Sequence, residues 1–436
     1  MNDHLIFGRE PGETGDVDVD ELKAALAGDP DPVDDRHHEV VTAPDPTPEE
    51  RARTARRRHR TWLIFAVVVL LIIVAGLIAG FVVWRSGTEQ VPDYAGTGDT
   101  EVVVRVQGGD GIKDIAQTLV GAGVVASTEA FEQQAALDGD VQALRPGYYK
   151  VRQNSSAQAA ADALVAKENH VGHVRLIPGR QLSDVTAVTT GSGAQTVVPG
   201  YISDIAAAAC VPLNGQQDCF TADDLWQVAT TADPATLGVV EWAADGVRAS
   251  PDPRKRLEGT IMPGDFDIPP GSTPEQALKA VVSASAAMWN GTDIIADAAR
   301  LGITPYQAAI IASIVEREGI TADMPKVARV IDNRLATGMK LEMDSTVNYA
   351  LDRASIATSA ADRANPSPWN TYYAAGLPPT PISSPGPNAV AAALDPAAGS
   401  WMFFVKIDNT GASCFSITVE QHEACVAQAR ANGVFG

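Results

Sequence analysis

The sequence lacks several motifs that mark common enzyme classes. It holds no Cys-x-x-Cys pair, no Gly-x-Ser-x-Gly and no His-Glu-x-x-His, which argues against a zinc ribbon, an α/β-hydrolase and a zincin-type protease. Lys and Arg number 33 against 54 Asp and Glu, and the net charge of -21 argues against nucleic acid as a ligand. At 436 residues the chain exceeds one ordinary hydrophobic core, so we expect several folded units.

Histidine is also scarce, with seven residues in the whole chain. His170-x-x-His173 has no third ligand near it in sequence, so a polar loop is the more probable interpretation of this pair than a metal site. His422 lies beside Cys425 but lacks partners at zinc-site spacing. The sequence therefore predicts no metal site and no cofactor.

The N-terminal region differs in composition from the rest. Residues 1–50 contain 15 Asp and Glu against three Lys and Arg, are rich in Pro and show no apolar period, so residues 1–60 are predicted to be a disordered acidic tail that ends in a basic run. Residues 62–84 form an uncharged apolar segment of 23 residues, long enough to span a bilayer. Because the arginines precede this span, we expect a single-pass anchor in the plasma membrane, with the tail cytoplasmic and residues 86–436 extracytoplasmic.

The four cysteines fit an extracytoplasmic location, because disulfides persist in oxidising compartments. Cys210 and Cys219 are close in sequence, as are Cys414 and Cys425. Local pairing is the favoured arrangement, although the sequence leaves all three connectivities open.

The extracytoplasmic part has the pattern of an α+β protein. Residues 86–100 are small and polar, which predicts a linker. Strand-like and helical periods alternate over residues 101–168 and predict a small α+β module. Residues 169–436 are expected to form a mixed α/β domain, interrupted around 195–250 by an insertion without clear period. Residues 365–388 contain seven prolines and are typical of a long loop that lines a site.

An apolar pattern between Pro305 and Gly319 predicts a helix that ends in two carboxylates. Placed at 100° intervals, Glu318 falls within the apolar stripe and Glu316 lies to its side. Burial and the negative end of a helix both disfavour a charged carboxylate, which suits a general acid. From this pattern alone, a structural ion pair between Glu318 and a neighbouring arginine is the more common arrangement.

These residues resemble the endolytic murein transglycosylases, a YceG-like family of membrane-anchored enzymes that cut peptidoglycan glycan strands. The resemblance covers about residues 101–180 and 257–410. Ser345 departs from it, because the family usually has proline at this position. The matching motifs are Ala312-Ser313-Ile314-Val315-Glu316-Arg317-Glu318, Asn333-Arg334-Leu335, Asp344, Thr346-Val347, Asn370-Thr371-Tyr372 and Gly376-Leu377-Pro378-Pro379.

The resemblance implies a LysM-like, glycan-orienting role for residues 101–168 and a single catalytic glutamate, Glu318. It also implies that Asp344, Asn370 and Tyr372 bind or position the sugars. The implied reaction is lytic cleavage of the MurNAc–GlcNAc bond, which leaves 1,6-anhydro ends and terminates nascent strands, without a cofactor. The implied partners are peptidoglycan strands and peptidoglycan synthases. The alternative is a non-catalytic peptidoglycan-binding scaffold that recruits wall synthases.

Overall fold

The computed structural model describes residues 48–86, 91–188, 195–217, 219–354 and 358–434. The predicted acidic tail up to residue 47 and part of the predicted linker, residues 87–90, lie outside the described residues. The chain divides into two compact units between Glu89 and Gln90. Described separately, the described part of the first unit is one long helix, and the second unit is an α+β protein.

The described part of the first unit is helix α1 (Pro48–Ser86). Its segment Trp62–Val82 is long and apolar enough to cross a membrane, and none of it is buried against other protein. This segment agrees with the span predicted from the sequence.

The second unit begins with a small module that has its own hydrophobic core. Its strands form an antiparallel sheet in the order β1-β2-β3, and Leu119, Phe131 and Leu164 are fully buried between sheet and helices. The α+β pattern predicted over 101–168 is present, and β3 extends the sheet past residue 168; its LysM-like character stays a prediction. The elements are β1 (Glu101–Val106), α2 (Ile112–Gly121), α3 (Thr128–Ala135), α4 (Gly139–Gln142), β2 (Gly147–Arg152), α5 (Ala157–Val165) and β3 (His170–Val171).

The remaining elements pack around a second, larger core. Strands are short: β4 pairs antiparallel with β7, β5 lies between antiparallel β6 and parallel β8, and β9 pairs antiparallel with β10. The elements are β4 (His173–Leu176), β5 (Val185–Val188), β6 (Gln195–Val198), α6 (Tyr201–Ala209), α7 (Ala222–Thr231), α8 (Pro234–Leu237), α9 (Glu241–Ala249), β7 (Gly264–Asp267), α10 (Pro274–Asn290), α11 (Ile294–Leu301), α12 (Pro305–Glu318), α13 (Met324–Ala336), α14 (Asp344–Ala350), β8 (Arg353–Ala354), α15 (Ala360–Arg363), α16 (Pro387–Leu394), β9 (Phe403–Lys406), β10 (Ser413–Ser416) and α17 (Val419–Ala431).

Helix α12 is the centre of this core. Thr304 caps it, with its hydroxyl accepting from the Gln307 N–H, and Pro305 occupies the first turn. Every residue from Ala308 to Val315 is buried, because α9, α11, α13, α14 and α16 all pack against α12. The prediction of a one-sided apolar stripe is therefore wrong. The middle of the helix is buried on all faces, and Glu316 and Glu318 do not differ in burial class.

The segment around 195–250, predicted to be an insertion without clear period, contains helices α6 to α9. Tyr201, Ile205 and Leu225 are fully buried in the main core, so the segment is part of that core. Its helices are short and rich in Ala, which weakens the apolar period. A disulfide between Cys210 and Cys219 joins the end of α6 to the residues before α7.

The second disulfide joins Cys414 on β10 to Cys425 on α17. Both local pairings favoured from the sequence are confirmed. Together with β9, these elements form the C-terminal end of the described fold, and Arg334 of α13 holds them by donating to the Met402 carbonyl at 2.7 Å.

Candidate active site

Glu318 is the last residue of α12 and is half-buried. Its Oε1 accepts a hydrogen bond from the backbone N–H of Ser345, in the first turn of α14, at 3.1 Å. Within the described part of the chain its Oε2 accepts no hydrogen bond, so this oxygen is available to a ligand. The carboxyl group is thus held at one oxygen on a rigid helix end.

Glu316 is also half-buried but points to a different place. Its Oε2 accepts from the Gly386 N–H at 2.9 Å, and its side chain lies close to Gly179, in the turn after β4. Burial raises the pKa of Glu316, while the Gly386 N–H and the charge of Arg317 oppose that rise. Glu316 therefore joins two turns of the fold, and its surroundings, rather than its burial, distinguish it from Glu318.

Asp344 begins α14, directly before the residue that binds Glu318. Its Oδ1 accepts from the Thr358 hydroxyl at 2.6 Å and from the Tyr372 hydroxyl at 2.9 Å. The Arg363 Nε lies 3.6 Å from the same oxygen. Asp344 is therefore a fixed negative charge, held by two hydroxyls and a guanidinium next to the Glu318 site.

Tyr372 is brought to this position by the long proline-rich loop. Burial, and then the charge of Asp344, raise the pKa of its phenol well above the usual range, and Glu318 adds to the effect. The Arg363 guanidinium lies over its ring at 5.1 Å. The Tyr372 hydroxyl is therefore a protonated donor, within electrostatic reach of both Asp344 and Glu318.

Asn370, predicted to bind substrate, is fully buried, with 0% of its surface exposed. Its amide donates to the carbonyls of Arg363 at 2.9 Å and Asn365 at 2.7 Å. Its Oδ1 accepts from the Tyr372 N–H at 3.0 Å. All its polar atoms are used inside the loop, so the structure gives Asn370 the place of a residue that positions Tyr372, and direct sugar binding stays a prediction.

Sequence reasoning missed Ser345, Thr358 and Arg363. Ser345 acts through its backbone N–H, which no side-chain pattern reveals. Arg363 and Thr358 also bond each other, Nε to Oγ1 at 2.8 Å, in a stretch without periodic pattern. Their only sequence signal is the proximity of a polar, charged segment to the proline-rich loop that follows.

A second carboxyl group is buried in the interior. Glu258 is 3% exposed, and its Oε2 accepts from the Leu182 N–H at 3.2 Å and the Tyr349 hydroxyl at 3.3 Å. Burial raises its pKa to about 7, against the lowering effect of these donors and of Lys255. Glu258 is therefore an enclosed carboxyl group that links the Leu182 backbone to Tyr349 of α14.

These features support acid–base chemistry by one carboxyl group. A half-exposed carboxyl with one unused oxygen can give and take a proton, and an adjacent carboxylate, phenol and guanidinium can orient a polar substrate. Asp344 is already engaged by three partners, which suits it to stabilise charge rather than to attack as a nucleophile.

The region that contains these residues is similar to known proteins. A family model described as the YceG-like family matches residues 104–428. The endolytic murein transglycosylase of Bacillus subtilis is 30% identical over 169 residues, 38% of this chain and 46% of that protein. That of Streptococcus pneumoniae serotype 2 is 25% identical over 338 residues, 75% of this chain and 58% of that protein. The chain thus spans about half the length of the curated relatives it matches.

A solved structure is also similar, that of a YceG-like protein from Listeria monocytogenes. It aligns at 22% identity with a TM-score of 0.48, and the alignment covers 75% of this chain and 99% of that one.

Proposed function

Since this chain belongs to the YceG-like family, as its motifs predicted, we propose that it is an endolytic peptidoglycan lytic transglycosylase. Its substrate is the MurNAc–GlcNAc bond inside a glycan strand. The names of the relatives support the reaction class. The observation that carries the proposal is the placement of Glu318, with one unused oxygen, beside the Asp344–Tyr372 pair.

In the proposed mechanism Glu318 begins as a carboxylic acid. It donates its proton to the glycosidic oxygen as the bond between that oxygen and C1 of MurNAc breaks. The resulting carboxylate then removes the proton of the muramyl 6-hydroxyl, whose oxygen bonds to C1 and gives the 1,6-anhydro end. The proton count returns to its start and no water is consumed, so one carboxyl group suffices.

Asp344 and Tyr372 would stabilise and orient the reacting sugar. A fixed carboxylate favours the positive charge that develops at C1, and preorganised groups of this kind supply a large part of enzymatic rate enhancement. Tyr372, protonated and bonded to Asp344, offers a polar edge to a sugar hydroxyl. Ser345 holds Glu318 through its N–H at 3.1 Å, which fixes the direction of the unused oxygen.

The location follows from helix α1. We propose that Trp62–Val82 anchors the chain in the plasma membrane with the catalytic unit outside, where peptidoglycan lies. This placement supports action on nascent strands as they leave the synthases, and it supports synthases as partners. The two disulfides favour the same compartment.

The test compares Glu318→Gln with Glu316→Gln, a matched variant two residues away. We expect Glu318→Gln to lower strand cleavage by at least about 100-fold, because general acid–base catalysis contributes 10²–10⁴-fold. Glu316→Gln keeps an acceptor for the Gly386 N–H and should retain activity. Mass spectrometry of the products should show anhydro ends from the wild type.

Each other outcome has a meaning. Reducing ends would make the protein a hydrolase. Loss of activity only in Glu316→Gln would move the catalyst to that residue. Absence of cleavage in wild type, with strand binding intact, would favour the scaffold that recruits synthases.

A further inference from the structure

Two histidines and two aspartates meet where the small module joins the larger core. His170 lies on β3 of the module sheet, His173 on β4, and Asp265 and Asp267 on β7. One ligand atom from each of His170, His173 and Asp267 lies within 4.8 Å of the others. The third ligand that the sequence lacked is supplied by β7, 94 residues after His173.

The distances suit convergence on one point. His173 Nδ1 lies 3.2 Å from Asp267 Oδ1, and His170 Nε2 lies 3.6 Å from the same oxygen. In a tetrahedral zinc site with bonds of about 2.0–2.1 Å, neighbouring ligand atoms are roughly 3.3 Å apart. Two of these separations already match. The two rings stack with centroids 4.8 Å apart and planes 25° from parallel, so binding requires one imidazole to turn out of the stack until both nitrogens face the ion.

The other nitrogen of His173 has its own partner. His173 Nε2 lies 3.4 Å from Asp265 Oδ1. Metal-binding histidines commonly donate their second N–H to a carboxylate, which fixes the ring and raises its basicity. Asp265 is thus placed to orient the His173 ring through Nε2, the nitrogen that would not bind the ion.

His170 is also held in place, and it has an unused polar atom. Its ring stacks on Tyr149, with centroids 4.8 Å apart and planes 9° from parallel. It packs against Gly147, where a Cβ would overlap the ring. The buried His170 Nε2 makes no hydrogen bond of normal length among the described residues, because Asp267 Oδ1 lies 3.6 Å away; a bound ion would satisfy this polar atom.

The backbone conformation at Gly172, between the two histidines, allows both of them to reach β7. Gly172 adopts φ +70°, and a Cβ there would overlap the Ile268 carbonyl. Its own carbonyl accepts from the Ile268 N–H at 2.8 Å. Gly172 therefore turns the chain between β3 and β4 so that both histidines reach β7.

We propose that His170, His173 and Asp267 bind a divalent zinc-type ion, with Asp265 orienting His173. Two imidazoles and one carboxylate favour zinc over magnesium or calcium, which prefer oxygen ligands alone. Water would complete the coordination. The ion would link the module sheet to the β4–β7 pair. It would thereby fix the orientation of the module, and of a glycan strand bound to it, relative to the larger core. This role is separate from the chemistry at Glu318.

The test uses the full chain in detergent, stripped with EDTA and titrated with zinc sulfate by calorimetry. We expect one tight equivalent in the wild type. His170→Gln and Asp267→Asn should each weaken this binding at least 10-fold, and Asp265→Asn by about 10–100-fold. His422→Gln is the matched control, since this half-buried histidine of α17 stacks on Phe403, away from the cluster, and its loss should leave affinity unchanged.

Two further measurements do not depend on the variants. Zinc should raise the unfolding midpoint of the wild type and of His422→Gln, because binding to the folded state alone stabilises it. X-ray absorption at the zinc edge should show imidazole nitrogen at about 2.0 Å. No tight equivalent, a spectrum without imidazole, or unchanged affinity in both His170→Gln and Asp267→Asn would overturn the proposal.

Discussion

At the residue scale, Glu316 and Glu318 both lie at the end of helix α12 but contact different parts of the fold. Glu316 reaches the Gly386 N–H at the entry to α16, whereas Glu318 reaches the Ser345 N–H at the entry to α14. The first contact closes a junction between turns. The second places the Glu318 carboxyl group against α14, which begins with Asp344, and within electrostatic reach of Tyr372. Each glutamate keeps one oxygen without a hydrogen bond among the described residues, so the neighbouring groups distinguish Glu318 from Glu316.

Ser345 gives the first residue-scale prediction, because the resembling family usually has proline here and proline has no N–H. Ser345→Pro should fold, since the first turn of a helix tolerates proline. It removes the donor that holds Glu318 Oε1, so the carboxyl group loses its fixed direction toward the substrate. We expect kcat for strand cleavage to fall by about 10-fold, measured at saturating substrate.

Ser345→Ala is the control for that change. It keeps the backbone N–H and removes a buried hydroxyl that has no hydrogen-bond partner among the described residues. Its kcat should match the wild type. A kcat of Ser345→Pro that coincides with that of Ser345→Ala would show that the N–H does not hold the reacting carboxyl group.

Glu258 gives a prediction about stability and pH. Its pKa of about 7 in the fold exceeds the usual value of about 4.3 for an unfolded chain, so the folded state holds this proton to higher pH. The stabilisation is complete below about pH 4 and is lost as pH rises to about 7, by on the order of 3 kcal/mol.

Glu258→Gln, which keeps an acceptor for Tyr349 and Leu182, should remove this contribution. Denaturant unfolding at pH 5 and pH 8 measures it as a difference between variant and wild type. The wild type should lose more free energy of unfolding between the two pH values than the variant does. Parallel losses in both proteins would contradict the assignment.

At the element scale, the loop between α15 and α16 depends on Asn370. Asn370→Ala leaves the Arg363 and Asn365 carbonyls without their donor and the Tyr372 N–H without its acceptor. We expect a loss of about 2 kcal/mol in the free energy of unfolding. A fully buried unsatisfied group costs about 1–3 kcal/mol, but these three bonds are only partly buried, so water can replace part of what is lost. Hydrogen exchange should become faster over residues 363–374, and activity should fall.

Tyr372→Phe is the companion variant. It removes only the hydroxyl bonded to Asp344, so activity should fall while exchange in the loop stays near that of the wild type. If Asn370→Ala instead raises KM with unchanged exchange, Asn370 binds sugar directly, as the sequence first suggested.

The elements that the sequence predicted are those with strong local signals. Helix α12 has Thr304 and Pro305 at its start, and β1 places Val102, Val104 and Val106 at every second position. Helix α14 (Asp344–Ala350) has no such signal in the sequence. Thr346 and Val347 are β-branched, but tertiary burial overrides propensity, and the Thr346 hydroxyl is satisfied by the Met343 carbonyl at 2.6 Å.

The candidate site shows the same limit. Glu318, Asp344 and Tyr372 were selected from sequence, and the structure brings them to one place. The Ser345 N–H and the Arg363 side chain were not predicted from the sequence, because backbone donors and long-range partners leave no periodic signal. For the same reason, the sequence did not connect Asp267 with the two histidines. Asp267 comes close to them only through the pairing of β4 with β7.

At the scale of the whole molecule, the anchor and the catalytic unit are separate compact units that divide between Glu89 and Gln90. Within the described residues, both hydrophobic cores of the second unit consist of that unit's own residues. Folding and chemistry of the second unit should therefore not need the first, for which we propose the role of membrane anchor.

A chain that starts at residue 90 tests this division. We expect its kcat/KM on soluble glycan strands to stay within about twofold of the full chain, since the proposed site lies entirely in the second unit, and we expect it to leave the membrane fraction. In spheroplasts of cells making the full chain, external protease should digest the catalytic unit and spare an epitope in the N-terminal tail. Protection of the catalytic unit would reverse the orientation, and a large loss of activity would show that the anchor shapes the site.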